Sequence, residues 1–558
     1  LGNAEEIGLT LIGTYTDEAS PYTLYVYQTT SRYRDVDHAN LTLEEMKQTT
    51  CDMELLDTQL TEMKELAAEA EAAGEAKDPE RVKELFGETL DEVEKLSTCY
   101  SLSQITYYQN IFDEENQEIQ AELLDDVMDY GDRLNVAIRE LCKSPYQNTM
   151  TELMNAEQVE AYLEYEEMTD EEKELTAKEN SLEQEYEQLS SEEFYYEYDG
   201  EEWDLNRLNM EADEMDHDAV VEIYQGISKQ RNDAVGEVFV ELVDVRNAYD
   251  AVYVRDYTLD ETRDLLKEIR KHVVPVMADM KDVLNDTDYM RLYSEGQGIE
   301  STSIIEQIGP YLEEIDPELK DTQEHFLKYR LYDMDTSQNK ANTAFTMRLS
   351  YFKDGFIYGQ MYDNYMDYYN VIHEFGHYNN VYRSADTFFE SSNNIDVSEI
   401  HSQGMQMLFY DYYDELLGED IGDIYAFYDV YSMADNAIST ALISEFEIAA
   451  YENPDMTLEE LNKLYLQLSR RSEVPHIFTS PCYYFSYLTS AFSSLDILTM
   501  AEEDRHEAVE TYMTLTTIPG YVPYCSAVEY AGLRDIFEDG VAQDIIEETA
   551  SILGVKGY

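Results

Sequence analysis

Long helical patterns with few interruptions constrain the fold of this chain more than any other feature of its sequence. Two Thr-x-x-Glu capping boxes, which begin at Thr42 and Thr258, mark the starts of predicted helices. The first opens helical patterns that cover residues 41–140 with one break, and the second opens a predicted helix over Leu259–Met280. After Asp367 the chain has a helical pattern apart from short loops. The sequence therefore predicts a mainly α fold.

Short alternating segments predict a small sheet. Met347–Phe352 and Phe356–Met361 alternate on either side of a Lys-Asp-Gly turn, as the strands of a β-hairpin do. A further short strand is predicted at Tyr22–Gln28. Residues 151–202 are rich in Glu, which is typical of an acidic linker, but Leu, Tyr and Phe recur among them. This recurrence favours exposed helices.

The composition excludes several classes of partner. The 558 residues carry 121 Asp and Glu against 37 Lys and Arg, a net charge of −84. Such a charge repels nucleic acids and anionic membranes and favours cationic or neutral ligands. No run approaches the roughly 18 apolar residues that a membrane helix needs, so we expect no membrane span. The five cysteines are an odd number without Cys-x-x-Cys spacing, which excludes a full disulfide framework.

The strongest chemical signal is the sequence His373-Glu-Phe-Gly-His377. On a helix with about 3.6 residues per turn, histidines four positions apart lie about 40° apart around the axis. Both imidazoles can then bind one tetrahedral metal ion, while Glu374 leans toward a water molecule at that ion. Two ordinary histidines on a partly buried helix are the alternative interpretation. Because the chain has only nine histidines, this spacing favours a metal site.

A zinc site with two histidines needs a third protein ligand and leaves its fourth position open. The candidates downstream are Glu390, Asp396, Glu399 and His401. Residues 396–409 have the pattern of a second helix, and a loop precedes them that would allow the chain to return to the first. Residue types alone leave the choice among the four candidates open.

These motifs resemble a known family. His373–His377 followed by Asp396-Val-Ser-Glu-Ile-His-Ser-Gln403 is similar to the motifs of the M3 family of zinc oligopeptidases, most of all to its oligoendopeptidase F branch. Segments near Arg246, Asp354 and Tyr521 extend the resemblance over roughly residue 200 to the end. It implies a large helical peptidase with a small sheet beside the zinc-binding helix. It also implies two helical halves around a deep substrate channel.

The resemblance assigns expected roles to residues and regions. It implies that His373, His377 and Glu399 bind one Zn²⁺ ion and that Glu374 is the general base. The catalytic domain is expected at 201–558, after an N-terminal helical region at 1–200 that contains the acidic segment.

A second segment, residues 474–490, resembles the Pro-His and Tyr-rich helix with which the family binds substrate and transition state. It implies that His476 and Tyr487 are catalytic, as donors to the oxyanion of the tetrahedral intermediate. Tyr483 and Tyr484 are both candidates for substrate binding, because the family's substrate-binding tyrosine can be matched to either position. A tyrosine stripe that serves only for packing is the alternative, since the chain has 49 tyrosines.

The predicted strand Phe356–Met361 resembles the strand that borders the family's substrate cleft. We expect it to be an edge strand that pairs with the substrate backbone, with Phe356, Tyr358 and Gly359 as substrate-binding residues. The chain departs from the family at Gln406, where an acidic residue usually orients a ligand histidine. An amide can accept a hydrogen bond there but adds no charge, and Asp396 or Glu390 could compensate.

The predicted function is a zinc metalloendopeptidase of short unstructured peptides. A zinc carboxypeptidase or dipeptidase is the alternative, and it would need a cation for the terminal carboxylate. Few arginines lie near the motif in the sequence, namely Arg383, Arg470 and Arg471, which makes this alternative less attractive. A peptide-binding protein without catalysis is a third hypothesis, which Gln406 supports. The start at Leu1 instead of Met would fit a removed leader and an extracytoplasmic location, with the cytoplasm as the alternative. The sequence does not determine the oligomeric state.

Overall fold

A computed structural model describes residues 9–16, 23–29, 36, 38–154, 156–164, 170–211, 215–249, 255–283, 286–296, 298–384, 395–465 and 474–558. Helices dominate these ranges, and the strands in them form two hairpins and one three-stranded sheet. The predicted mainly α fold with a small sheet is confirmed. Within the described ranges, no helix combines the length and the apolar character needed to cross a bilayer.

The N-terminal helices share a core of their own. The predicted capping box at Thr42 is present, and Pro79 lies in the first turn of its helix. The buried side chains of this core include Leu60, Leu85 and Leu134. The elements are β1 (Leu9–Thr16), β2 (Thr23–Thr29), α1 (Leu43–Met46), α2 (Met53–Ala73), α3 (Pro79–Gln109), α4 (Glu114–Lys143), α5 (Gln147–Leu153) and α6 (Ala156–Glu164).

The Glu-rich segment contains a long helix in its described part, as predicted. This helix, α7, packs along α9, and the two share a second core with helices near the C-terminus. A short hairpin and α8 lie between them in the chain. The elements are α7 (Asp170–Ser191), β3 (Tyr196–Tyr198), β4 (Glu201–Trp203), α8 (Leu205–Glu211) and α9 (His217–Tyr249).

The helix predicted over Leu259–Met280 is interrupted by a π-helical turn at Ile269–Val273. Pro275 lies two residues after this turn, and a wider turn relieves the clash between a proline ring and the preceding turn of an α-helix. The capping box at Thr258 is present. The elements of this part are α10 (Leu259–Glu268), α11 (Val274–Val283), α12 (Asp286–Ser294), α13 (Ser301–Gln307), α14 (Gly309–Ile315) and α15 (Pro317–Tyr329).

A three-stranded sheet precedes the motif helix. Its strands are β5 (Tyr332–Asp333), β6 (Ala344–Leu349) and β7 (Asp354–Gly359), in the order β5-β7-β6. The predicted hairpin is confirmed as the antiparallel pair β6 and β7, in which Thr346 lies opposite Ile357. Because β5 pairs with β7 on its other side, the expectation that the second hairpin strand is an edge strand was wrong. The outer strand is β6.

The C-terminal helices build the main core around the motif helix. They are α16 (Asp367–Ser384), α17 (Ile395–Phe409), α18 (Tyr413–Leu417), α19 (Glu419–Glu452), α20 (Leu458–Tyr465), α21 (His476–Thr479), α22 (Tyr484–Glu503), α23 (Arg505–Leu515), α24 (Tyr524–Ala531) and α25 (Val541–Ile552). Gly376 permits the close approach of α16 and α17, since a Cβ atom there would lie 2.4 Å from the carbonyl oxygen of His401.

Arg246 connects three parts of the chain. Its guanidinium is fully buried and donates to Glu179 at 2.6 Å and to Glu183 at 3.1 Å, both on α7. It also donates to the backbone carbonyls of Ile477 and Phe478 in α21. A buried charge of this kind is stable only while its partners are in place. The acidic helix α7 is therefore part of the support of α21.

Candidate active site

Two helices bring three metal-binding side chains together. His373 and His377 lie one turn apart on α16, and Glu399 lies on α17. The Oε2 atom of Glu399 is 3.4 Å from Nε2 of His373 and 3.5 Å from Nε2 of His377. Ligand atoms that bind zinc tetrahedrally at about 2.0–2.2 Å are about 3.3–3.6 Å apart. The three side chains therefore have both the atom types and the spacing that zinc requires.

The charges of this cluster favour a cation. Burial opposes ionisation of His373, but the hydrogen bond and charge of Glu399 outweigh it and raise the pKa of His373 to about 9. Burial likewise opposes ionisation of Glu399, yet the neighbouring His377 and His373 hold the pKa of its carboxyl well below the usual range. The negative charge of Glu399 is thus retained inside the protein, where positive charge balances it.

The other candidates for the third ligand are engaged elsewhere. Asp396 is buried and accepts hydrogen bonds from Arg255 and Tyr257. The Nε2 atom of His401 lies 3.3 Å from the carbonyl oxygen of Leu515, and burial lowers the pKa of His401 to about 3, so this imidazole is neutral. Glu390 lies outside the described residues. Within those residues, the only group of three or more His, Cys, Asp or Glu side chains that could hold a metal is His373, His377 and Glu399.

Gln406 links a candidate ligand to a buried carboxylate. Its amide oxygen lies 2.9 Å from Nδ1 of His373, and its amide nitrogen donates to Asp429 at 2.9 Å. Asp429, on α19, also accepts from Tyr413 at 2.7 Å, and burial raises the pKa of Asp429 to about 6. A proton on Nδ1 of His373 leaves Nε2 to face Glu399. The acidic partner is therefore Asp429, and Asp396 does not take that place.

Glu374 lies beside the cluster and is held by the sheet. It is buried, and its Oε2 atom accepts a hydrogen bond of 2.8 Å from the hydroxyl of Thr346 on β6. The same hydroxyl lies 2.9 Å from the carbonyl oxygen of Glu374. Tyr369 stacks on His373, with ring centroids 5.6 Å apart. The contact of Thr346 with Glu374 could not be predicted from the sequence, because a threonine in an alternating strand is ordinary.

The three candidate ligands and their neighbours Glu374, Thr346 and Tyr369 line one cavity of about 890 Å³. Its wall includes the three candidate ligands and Glu374, together with residues from β6, α19 and the segment around α22. The β6 residues in the wall are Ala344, Phe345, Thr346 and Arg348. The outer strand of the sheet is thus the one that borders the cavity.

The three residues of the second hairpin strand that were expected to bind substrate lie away from the cavity. Phe356, Tyr358 and Gly359 are buried in the central strand β7 and do not line the cavity. The hydroxyl of Tyr358 donates to the backbone carbonyls of Tyr108 and Ala341. The cavity is bordered by β6 and not by the expected strand β7. The alternation predicted the hairpin but not the strand β5, which pairs with the other edge of β7.

The predicted oxyanion residues lie together in the cavity wall. His476, Tyr484 and Tyr487 line it, and Tyr483 contacts the ring of His476 at a centroid distance of 4.5 Å. Burial lowers the pKa of His476 and raises the pKa values of Tyr484 and Tyr487. The imidazole is therefore neutral and both hydroxyls keep their protons near pH 7, so each can donate a hydrogen bond.

Comparison with family models and with curated proteins finds no match to this chain. Solved structures match over nearly its whole length. A protein assigned as an oligoendopeptidase F is 21% identical, covers 93% of this chain and 99% of its own, and has a TM-score of 0.68. PZ peptidase A with an inhibitor is 20% identical, covers 93% and 98%, and has a TM-score of 0.67.

A third structure, assigned as an oligoendopeptidase F from Bacillus anthracis str. Ames, is 21% identical and has a TM-score of 0.66. It covers 95% of this chain and 99% of its own. Chains that share so little identity over such a length share architecture above all. The structural likeness covers nearly the whole chain, which has the fold of these oligoendopeptidase F structures.

Proposed function

We propose that the protein is a zinc-dependent endopeptidase that cleaves short, unstructured peptides. The observation that carries this proposal is the spacing of three side chains beside a buried glutamate in one cavity. The Oε2 atom of Glu399 lies 3.4 Å from Nε2 of His373 and 3.5 Å from Nε2 of His377. These three side chains would hold the ion. When bound, zinc would polarise the scissile carbonyl and lower the pKa of a water molecule.

Glu374 would act as the general base. Its carboxylate takes a proton from the attacking water as the new carbon–oxygen bond forms, and then gives that proton to the nitrogen of the leaving amine. The hydroxyl of Thr346 fixes one carboxylate oxygen and leaves the other for the water. His476 and Tyr487 would donate to the oxyanion that forms at the carbonyl. Tyr484, which lines the cavity, is favoured over Tyr483 for substrate contact.

The substrate would bind along β6 in an extended conformation. β6 pairs with β7 on one side only in the described sheet, and its residues border the cavity. A peptide added to a strand edge is held by its backbone, which favours unfolded substrates of varied sequence. The proposed catalytic residues all lie within 201–558, the range that we propose as the catalytic domain.

A zinc carboxypeptidase remains the second candidate, and one observation favours it. Of the three arginines near the motif in the sequence, Arg383 donates to Thr322 and Glu318 on α15. Arg470 and Arg471 lie outside the described residues. Arg348, however, lines the cavity itself. A cation at that place could bind a terminal carboxylate.

The test is cleavage of a quenched ten-residue peptide, with the fragments identified by mass spectrometry. We expect internal cleavage that a chelator abolishes and that zinc restores. Glu374→Gln should lower kcat by at least about 1,000-fold while the purified protein keeps its zinc. Glu503→Gln, at an exposed position on α22, is the matched control. Cleavage that persists in chelator would contradict the proposal, and release of single C-terminal residues alone would favour the carboxypeptidase.

A further inference from the structure

Arg348 is the only arginine or lysine among the described residues that line the cavity. It is half-buried on β6, two residues after Thr346, whose hydroxyl holds Glu374. Side chains two positions apart on a strand share a face and are about 6.6 Å apart along it. Arg348 therefore lies on the same face of β6 as the residue that positions the proposed base.

The surroundings hold the guanidinium at this place. Its two terminal nitrogens are each 3.4 Å from the hydroxyl oxygen of Ser384, the last residue of α16. The C-terminal end of a helix carries partial negative charge, which favours a cation there. The cavity therefore has a fixed positive charge inside a chain whose net charge is −84.

We propose that Arg348 binds a carboxylate of the substrate peptide about two residues from the cleaved bond, a proposal that rests on the proposed function. An extended peptide beside β6 has the same rise per residue as the strand. The substrate residue two positions from the one at Thr346 would therefore face Arg348. The planar fork of a guanidinium matches a carboxylate through two parallel hydrogen bonds. The carboxylate can belong to an Asp or Glu side chain or to the C-terminus of the peptide.

The kinetic test uses matched quenched peptides that carry Glu or Gln at each position near the cleaved bond, each as the free acid and as the C-terminal amide. We expect one Glu position, or the free acid, to raise kcat/KM by about 10-fold, mainly through a lower KM. Arg348→Gln should remove this preference, and Arg348→Glu should reverse it in favour of Lys. Arg263→Gln, at a surface arginine paired with Asp260, should keep it.

The peptide arms distinguish the two sources of the carboxylate. A preference for the free acid over the amide identifies the C-terminus, and a preference for internal Glu identifies a side chain. Equal kcat/KM values for acidic and neutral peptides, unchanged in Arg348→Gln, would overturn the proposal.

A binding arm separates this proposal from the proposed function. Fluorescently labelled acidic and neutral peptides are titrated onto Glu374→Gln and onto Glu374→Gln combined with Arg348→Gln. We expect acidic peptides to bind the first protein about 10-fold more tightly and both peptides to bind the second alike. Absence of all cleavage with this binding difference retained would sink only the peptidase function. Cleavage without any binding difference would sink only the role of Arg348.

A second inference concerns Cys51 and Cys99 and is independent of the active site. Their sulfur atoms are 2.9 Å apart, with Cys51 two residues before α2 and Cys99 inside α3. The hydrogen bond from Cys51 lowers the pKa of the Cys99 thiol, which favours the reactive thiolate. We infer that the two residues form a disulfide in the presence of an oxidant such as a small-molecule disulfide.

In this reaction the Cys99 thiolate attacks the small-molecule disulfide, and Cys51 then displaces the remaining thiol, so that two thiols are oxidised and one disulfide is reduced. The test is incubation of the folded protein with oxidised glutathione, followed by thiol counting and peptide mapping. We expect two thiols to be lost and a Cys51–Cys99 peptide pair to appear, also in Cys525→Ser. Retention of all thiols, or the same loss in Cys51→Ser, would overturn the inference.

Discussion

At the scale of single residues, Gln406 transmits the effect of a buried carboxylate to a proposed metal ligand. Its amide accepts from His373 and donates to Asp429. The negative charge of Asp429 therefore lies farther from His373 than the charge of an acid bonded directly to that ring would. The amide itself cannot titrate. The orientation of His373 therefore depends on a hydrogen-bond chain instead of on a carboxylate in contact with the ring.

Replacing Gln406 tests this chain. Gln406→Leu leaves His373 without its acceptor and leaves Asp429 with Tyr413 as its donor, and we expect zinc affinity to fall by about 10–100-fold. Competition with a chelating dye measures this directly. Gln543→Leu on α25 is the control, and Asp429→Asn should weaken affinity in the same direction. An unchanged affinity in Gln406→Leu would show that packing alone orients His373.

Glu447 predicts a pH dependence of stability. Burial raises the pKa of Glu447 from 4.5 to about 7, although the Cys482 amide donates to it at 2.9 Å. Between these pH values the unfolded chain releases the proton while the folded protein keeps it. Stability contributed by this group is therefore complete below about pH 4.5 and is lost as pH rises through 7, by roughly 3 kcal/mol.

Denaturant unfolding at several pH values measures this effect. Glu447→Gln cannot ionise, so its unfolding free energy should exceed that of the wild type increasingly from pH 5 to pH 8. Glu419→Gln, at an exposed position on the same helix, should follow the wild-type curve. Parallel curves for Glu447→Gln and the wild type would contradict the prediction.

At the scale of elements, the contact between α16 and α17 sets the positions of the proposed metal ligands. A methyl group at Gly376 would meet backbone atoms of His401 and Ser402, at 2.4 and 2.7 Å, and backbone cannot move aside as a flexible side chain can. We expect Gly376→Ala to separate the helices, to destabilise the protein by about 1–3 kcal/mol and to weaken zinc binding.

The matched control is Gly87→Ala on α3, where an added Cβ would meet nothing within 4 Å. Because alanine favours a helix interior over glycine, this change should stabilise the protein by about 0.5–1 kcal/mol. Thermal unfolding and dye competition compare the two variants. Equal effects on zinc binding would disprove the special role of the helix contact.

The elements predicted from sequence are those with local signals. Capping boxes at Thr42 and Thr258 located helix starts, because the cap residues and the helix are adjacent in the chain. The strand β5 has two residues and no alternation to detect, so the exposed edge was assigned to the wrong strand. Asp429 lies on another helix from Gln406, and only the packing of α17 against α19 brings them together.

At the scale of the whole molecule, the net charge of −84 acts on substrates before they reach the cavity. A strongly charged surface attracts peptides of opposite charge and is screened by salt, with a Debye length of about 10 Å at 0.1 M. We expect kcat/KM for a cationic peptide to fall several-fold between 0.02 and 0.5 M NaCl, values chosen to span that screening. A neutral peptide of the same length should change little, and equal salt responses would contradict steering.

The buried Arg246 has a consequence for dissecting the chain. Its acidic partners, Glu179 and Glu183, precede residue 200, whereas the carbonyls that it holds in α21 adjoin His476. A fragment that begins at 201 would keep the cation and lose its counter-charges, a loss that costs about 3–5 kcal/mol for a buried ion. Such a fragment should be recovered aggregated, whereas the whole chain should remain monodisperse by size-exclusion chromatography. The border expected near residue 200 is therefore a poor place to cut the chain.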